Sequence, residues 1–282
     1  MRLENHDELK IGELPRLRIM PIGEILFHEE PDIERVAKLI DKFSADGVLK
    51  NPPVVAIVDK NPRRILLDGT NRITALRKLM VPDVLVQEID LSDERLTISE
   101  WHHAIEHLTK NEILAQADGL AGTSRQELKE EGMLDDPDFL CRMIFTDGTA
   151  AGLFGTGDIF RKVDFLKRFT DLYHKLAYMD RVSYTDPAGL KENYPDFSAL
   201  VSFRQFTKAE IVGLADAGKR MPSGITRVLL PKRALNFNLH MNVLKSELSA
   251  KEKNEWLKET VRQKILTKSI RFYREPTFSF DE

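Results

Sequence analysis

Leu67-Asp68-Gly69-Thr70-Asn71-Arg72 lies between an apolar run, Ile65-Leu66-Leu67, and a stretch with Ile73, Leu76 and Leu79 at helical spacing. A buried strand that turns straight into a helix presents the helix's first, unpartnered amides to whatever lies in front of them. With the helix dipole, such amides form an anion site. Gly69 lets the backbone approach a phosphate closely, Thr70 is the expected N-cap, and Arg72 supplies a planar cation suited to phosphate. Asn71 can donate a hydrogen bond to a phosphate but carries no charge. Asp68 is placed to hold a magnesium ion or to orient a reacting hydroxyl. The same short string also serves as an ordinary capped turn with a surface arginine.

Other residues carry chemistry at a distance in sequence. Glu29, after His28, is either a general base or a helix-entry acid that favours the dipole of the helix behind it. Trp101 is a pocket wall or a core aromatic. His103 and His107 fall one turn apart on an expected helix, but a metal site needs a third ligand and none is evident. Thr226-Arg227 is either a carboxylate-binding pair or an exposed edge-strand pair. Gly152, Gly155 and Gly157 lack the Gly-Lys-Ser/Thr of a Walker loop and read as a flexible loop, a candidate lid. Lys251 to Arg274 holds eight Lys/Arg against three Asp/Glu, a pattern typical of a solvated helix face rather than a nucleic-acid contact.

These residues need a scaffold, and the chain can build one. Its 282 residues are 42% hydrophobic and 31% charged with a net charge of -3, the balance of a globular protein of two modest domains with no pull toward nucleic acid. Cys141 is the only cysteine, which excludes an internal disulfide and a cysteine-rich zinc site. Met1 to Arg18 has no apolar core of a signal peptide, and no apolar run is long enough to span a membrane, so a reduced cytoplasmic protein is expected.

The expected order is a strand at Ile25-Leu26-Phe27 and a helix begun by Pro31 and Asp32. Ile33, Val36, Ala37, Ile40 and Phe43 face inward on that helix, and Gly47 ends it. Strands follow at Val54 to Val58 and Ile65 to Leu67, joined by a polar turn at Asp59 to Arg64. The helix after Gly69 and a strand at Val84 to Ile89 complete the unit. Leu91 to Ala121 reads as polar and helical. Gly119, Gly122 and Asp135-Asp136-Pro137 mark loops and a boundary. Beyond them, helices are expected at Asp158 to Met179, Lys208 to Ala217 and Ala250 to Thr267. Strands are expected at Thr226 to Leu230, Leu235 to Leu239 and Ile270 to Tyr273. The expected fold class is α+β, with a first domain over residues 1–125 that carries the candidate phosphate turn and a second α+β domain over 126–282.

Ile22 to Ile89 resembles the N-terminal domain of ParB proteins and of sulfiredoxin. The proline-and-strand entry, the helix from Val36 to Gly47, Pro53-Val54-Val55 and the Gly69-x-x-Arg72 box carry the likeness. Sulfiredoxin places its catalytic cysteine in that box, where this chain has Thr70, so its chemistry is disfavoured. The helix-turn-helix that partition ParB proteins add downstream is not legible.

A narrower branch is similar along nearly the whole chain: the free-serine kinases of the ParB/sulfiredoxin-like superfamily. The shared blocks are His28-Glu29 with Arg35, Asp68-Gly69-x-x-Arg72, Trp101-x-His103, Pro222-x-Gly224-x-Thr226-Arg227 and Leu235-Asn236. The resemblance implies phosphoryl transfer from ATP or ADP, with Mg2+, to the hydroxyl of free L-serine. One group of these kinases uses ADP and serves cysteine synthesis; another uses ATP and occurs with siderophore biosynthesis. It implies Glu29 and Asp68 as catalytic, Gly69, Thr70, Asn71 and Arg72 as the nucleotide-phosphate site, and Trp101, His103, Thr226 and Arg227 as the serine site. Asn71 departs from the family, which usually has histidine there. The alternatives are a ParB-like nucleotide-responsive regulator or DNA-binding protein, and a kinase for another small hydroxyl compound.

Overall fold

The computed structural model describes residues 14–58, 63–128, 134–183 and 185–273. Most of the turn expected at Asp59 to Arg64, and most of Met1 to Arg18, lie outside them. The first unit comprises β1 (Arg16–Pro21), β2 (Ile25–Phe27), α1 (Ile33–Asp46), β3 (Val48–Leu49), β4 (Val54–Ile57), β5 (Arg64–Asp68), α2 (Thr70–Lys78) and β6 (Asp83–Asp90). Its five-stranded sheet runs β1-β6-β4-β5-β2. Asp32 caps α1 by accepting the Arg35 N–H, and Gly47 ends it in the left-handed region at φ 63°.

Both faces of this sheet are covered, so its central strands read as unbroken apolar runs. Val55 and Leu66 face α1 and α2, with Val36, Phe43, Ile73 and Leu76. Val54, Ala56, Ile65 and Leu67 point the other way, into a core shared with the rest of the chain. Successive residues of one strand therefore hold the two halves of the molecule.

The second unit comprises β7 (Thr97–Glu100), β8 (His102–Glu106), α3 (Lys110–Asp118), β9 (Ser124–Glu127), β10 (Phe139–Phe145), β11 (Ala150–Phe154), α4 (Ile159–His174), β12 (Tyr178–Val182), α5 (Pro187–Asn193), β13 (Phe197–Phe203) and α6 (Lys208–Asp216). A six-stranded antiparallel sheet, β12-β8-β13-β10-β11-β9, is its backbone. Phe165, Phe169 and Tyr173 of α4 and Ile211 and Leu214 of α6 pack into the shared core. Sheet membership changes between Asp90 and His102, well before residue 125.

The chain then forms β14 (Thr226–Leu229), β15 (Leu239–His240), α7 (Met241–Lys245) and α8 (Ala250–Leu266). β14 pairs with β7, whereas β15 returns to β3 in the first unit. Leu239, Met241, Leu244 and Leu257 join the first unit's core. The Asn254 amide closes the open edge of the first sheet: its Oδ1 accepts the Ile19 N–H at 2.9 Å and its Nδ2 donates to the Ile19 carbonyl at 2.7 Å.

Several local expectations are corrected. Leu91 to Ala121 is largely β7 and β8, with only α3 helical; His103 lies on a strand and His107 in a left-handed turn at φ 66°, so they share no helix face. No cluster of three metal-ligating side chains occurs among the described residues. Gly152 sits within β11, and a Cβ on Gly155 would lie 2.6 Å from the Phe165 ring, so this glycine cluster is packed strand and turn rather than a loose lid. α4 stops at His174, where the Leu176 and Ala177 amides both turn back onto the Tyr173 carbonyl, and Met179 belongs to β12. Only Leu239 of Leu235 to Leu239 is strand, since Asn236 and Asn238 adopt φ of 52° and 57°. Ile270 to Tyr273 forms no strand. No helix of the described residues is long and apolar enough to cross a membrane.

Lys253 is fully buried, and its ammonium donates to Asp83 Oδ2 at 2.6 Å and to the Leu244 carbonyl at 3.0 Å. Truncating one partner of a buried pair strands the other charge, at a cost of about 3–5 kcal/mol. Lys253→Ala is therefore expected to lower unfolding free energy by about that amount in urea titration; a loss under about 1 kcal/mol would show that α8 is not anchored through this pair.

Candidate functional site

After β2 the chain runs extended through His28, Glu29 and Glu30 to the α1 cap. Residues of the far unit hold it there like a short added strand. The Met221 N–H donates to the His28 carbonyl at 2.8 Å, and the Glu30 N–H donates to the Met221 carbonyl at 2.8 Å. Both carboxylate oxygens of Glu29 are then met from the same far segment. The Gly224 N–H donates to Oε1 at 2.6 Å and the Thr226 hydroxyl to Oε2 at 2.5 Å. Glu30, its neighbour, forms an ion pair with Lys167.

His28 lies behind Thr226 and is 2% exposed. Its Nδ1 is 2.7 Å from the Leu66 carbonyl, which can only accept, so Nδ1 carries a hydrogen. Nε2 faces the Thr226 Oγ1 at 3.1 Å. Burial pushes the imidazole pKa below its ordinary value, against the opposing pull of Glu29.

Gly224 is the keystone of the far segment. Its φ is 80°, and a Cβ there would fall 1.9 Å from Arg181 Nε. The Arg181 guanidinium donates to Ser223 Oγ at 2.8 Å and reaches the Asp32 carboxylate at 3.5 Å. His103 holds the other side of the same peptide segment: Nε2 donates to the Gly224 carbonyl at 2.9 Å, which leaves Nδ1 to accept the Tyr173 hydroxyl at 2.6 Å. Burial drives the His103 pKa down to about 3, so the ring is neutral. His103, 0% exposed with both nitrogens engaged, is a support for Gly224 and presents nothing to a pocket.

The phosphate-turn residues come together beside this segment, with two differences from expectation. The N-cap of α2 is Gly69, at φ 102°, and Thr70 is the first helical residue. A Cβ on Gly69 would lie 2.8 Å from the Pro53 Cβ, so this turn also requires glycine. Arg72 faces inward: Nη2 donates to Asp68 Oδ2 at 2.7 Å and Nη1 to the Asn51 carbonyl at 2.7 Å. Asn71 ties the starts of the two helices together, its Oδ1 accepting the Asp32 N–H at 2.8 Å.

A second arginine, Arg233, also bonds Asp68 Oδ2. Burial alone would raise the Asp68 carboxyl, but Arg72 and Arg233 outweigh it and hold it below the usual carboxylate range. Buried Gln87 positions Arg233 by clamping its loop, donating to the Lys232 carbonyl and accepting the Ala234 N–H, each at 2.8 Å. Arg233, Arg181 and Gln87 are not expected from sequence, and His28 is marked there only as the neighbour of Glu29, with no role of its own. The signal for Arg233 is Lys232-Arg233 directly after the Thr226 strand; Gln87 was hidden as one polar residue in an apolar run.

Thr226 and Arg227 part company. As neighbours on β14 they face opposite sides: Thr226 meets Glu29, and Arg227 stacks over the Trp101 ring at 4.8 Å from its centroid. The Trp101 N–H donates to the Ile225 carbonyl at 2.8 Å. Cys141 is buried and its thiol pKa is pushed up by burial, so it stays protonated.

The comparisons with known proteins bear on this arrangement. No family model matches the chain. The ATP-dependent L-serine kinase SbnI of Staphylococcus aureus is 24% identical over 273 residues, which cover 94% of this chain and 97% of the relative. An ATP-dependent L-serine kinase of Staphylothermus marinus is 28% identical over 87 residues, 31% of this chain and 34% of that protein. Among solved structures, a free serine kinase in complex with AMP superposes with a TM-score of 0.69 at 15% identity, covering 81% of this chain and 93% of that one. The chain shares the fold of the free serine kinases. C-terminally truncated SbnI superposes with a TM-score of 0.67 at 20% identity, over 88% of this chain and 96% of that one. Both units of the chain therefore fall within the likeness, including the segment that carries Gly224 and Thr226.

Two outcomes follow from the geometry. Gly224→Ala must displace Arg181 and strain the backbone, and should cost about 1–3 kcal/mol of stability together with the geometry around Glu29; an unchanged urea midpoint would contradict the close packing. His103 has a folded-state pKa of about 3 against an ordinary 6.5. The unfolded chain binds a proton below pH 6.5 that the folded protein refuses, so the stability from neutral His103 is full above that pH and is lost progressively toward pH 3. Urea midpoints should fall from pH 7 to pH 5, by up to about 1.4 kcal/mol per pH unit for this group, and His103→Gln should show a shallower fall. An equal slope in the variant would remove His103 as the source.

Proposed function

We propose that this protein is a small-molecule kinase that transfers the terminal phosphoryl group of ATP or ADP to the hydroxyl of free L-serine, giving O-phospho-L-serine. The observation that carries the reading is the Glu29 carboxylate, gripped by Gly224 and Thr226 where the two units meet and beside the Asp68-Gly69 turn. The likeness to L-serine kinases over nearly the whole chain supports the choice of substrate. In this reading the first unit, of the ParB/sulfiredoxin kind, takes the nucleotide, and the second completes the serine pocket.

A serine hydroxyl is a poor nucleophile, and a positioned carboxylate assists by taking its proton. Glu29 is that base. Its proton inventory explains how it accepts the charge. With Glu29 ionised and His28 neutral, the single Thr226 hydroxyl hydrogen is given to Glu29, and His28 Nε2 faces an oxygen with no hydrogen between them. When Glu29 gains the serine proton, it donates to Thr226 Oγ1 and Thr226 donates to His28 Nε2, and every partner is satisfied. The serine oxygen bonds to the terminal phosphorus as the bond from phosphorus to the bridging oxygen breaks, releasing ADP from ATP or AMP from ADP.

Phosphoryl transfer otherwise needs alignment and charge neutralisation. The joined starts of α1 and α2, Gly69, Thr70 and Asn71 line the phosphate side, and Arg72 and Arg233 fix Asp68. Asp68, whose Oδ2 takes both arginines, would be the protein group to hold a magnesium ion brought by the nucleotide, and the ion would neutralise phosphate charge. His103 acts by holding Gly224, while Arg227, stacked on Trp101, lies on the opposite side of β14 from Glu29 and is not assigned to the serine carboxylate.

The test is incubation of the protein with L-serine, magnesium and ATP or ADP, with product followed by phosphorus NMR. O-phosphoserine is expected with at least one nucleotide, and none with either would overturn the assignment. Glu29→Gln should lower kcat by about 10²–10⁴ while nucleotide affinity is kept; retained turnover would remove Glu29 as the base. Thr226→Val, which cuts the path to His28, should lower kcat more than it raises KM.

A further inference from the structure

The outer face of the six-stranded sheet, away from α4 and the shared core, carries a row of polar residues without partners. His102, Ser202 and Arg142 lie directly opposite one another on β8, β13 and β10. Four buried side-chain nitrogen or oxygen atoms among the described residues lack a hydrogen-bond partner, and three of them are His102 Nδ1, Ser202 Oγ and Arg142 Nε. Three orphans in one cross-strand row are not scattered packing faults. Each costs stability unless something completes it.

All three line one cavity of about 410 Å³, with Phe139 and Ile144 among its apolar walls. Glu100 lines it too, two residues before His102. Among the described residues its carboxylate accepts one bond, a long one from Ser99 Oγ at 3.4 Å. Glu100 and Arg142 line one space with opposite charges and form no ion pair with each other among the described residues. Burial holds the His102 pKa below its ordinary value, against the pull of Glu100, so the ring offers a neutral donor and acceptor. At the next register position beyond Arg142 stands Gly152, where a Cβ would lie 2.7 Å from the Phe154 ring, so no side chain fills the row there.

We infer that this cavity, which meets the described site only where Glu100 pairs with Thr226 across β7 and β14, is a second small-molecule site and that it takes a free amino acid with an uncharged side chain. The carboxylate of such a zwitterion suits Arg142 and Ser202, its ammonium suits Glu100 and His102, and its side chain suits the Phe139 and Ile144 walls. A simple anion would leave Glu100 unanswered, and a simple cation would leave Arg142 so.

The test is calorimetric titration of the full chain with the uncharged L-amino acids, serine excluded, one at a time. At least one should bind wild type and Glu29→Gln alike, and lose affinity at least tenfold in Arg142→Met and in Ser202→Ala. Without ligand, both cavity variants should melt higher than wild type, by about 2–4 °C, because each removes an unpaired buried polar group. A residue with a merely structural role would lower the melting temperature when replaced. Failure of every amino acid to bind, binding that survives Arg142→Met, or binding abolished by Glu29→Gln would each overturn the site. Because Glu29→Gln removes the proposed kinase base and leaves this cavity intact, the two assignments stand or fall separately.

Discussion

The molecule depends on one join. A carboxylate on the first unit, Glu29, accepts an amide hydrogen from Gly224 and a hydroxyl hydrogen from Thr226 on the far segment. The backbone bridge to Met221 fixes the register of that contact. Two bonds to one carboxylate from a single segment fix its orientation as well as the approach of the two units. The units share a core from Val54 to Ile225, but apolar packing is non-directional and could not aim a carboxylate.

Everything around the join serves that aim. His103 holds the Gly224 carbonyl while Arg181 packs against its Cα, so the amide that meets Glu29 has one orientation. His28 backs Thr226 from the other side and is itself held by the Leu66 carbonyl of β5, the strand that ends in Asp68. One strand therefore connects the carboxylate of the phosphate turn with the support of the proposed base. The arginines at Asp68 come from both ends of the chain, Arg72 from the helix it opens and Arg233 from the loop after β14. The contacts around Asp68 and those around Glu29 are each built from both units, so neither unit alone carries either arrangement.

How far the sequence disclosed this differs by residue. The helix from Ile33, its Gly47 stop and the turn at Gly69 were legible because apolar periodicity and the punctuation of Asp32 and Gly47 are local signals. The strands of the second sheet were harder: Thr97 to Glu106 mixes histidines and acids, and its period is visible only once His103 is seen to face inward and His102 outward. Glu29 and Thr226 were legible as candidates, but their contact was not, since about two hundred residues separate them and only the fold brings them together. Arg233 and Gln87 were missed because each is an ordinary residue type whose meaning comes from what lies opposite it. His103 was expected to touch substrate; its type was suggestive, but full burial makes it a support.

The central claim is that Glu29, held by Gly224 and Thr226, is the group that meets the serine hydroxyl. The most direct measurement is a crystal structure of the chain with L-serine and a non-hydrolysable ATP analogue. The account predicts the serine hydroxyl within about 3 Å of a Glu29 carboxylate oxygen, with the nucleotide phosphates at the Gly69 turn. A serine hydroxyl held by another carboxylate, with Glu29 still turned wholly toward Gly224 and Thr226 and out of its reach, would contradict it.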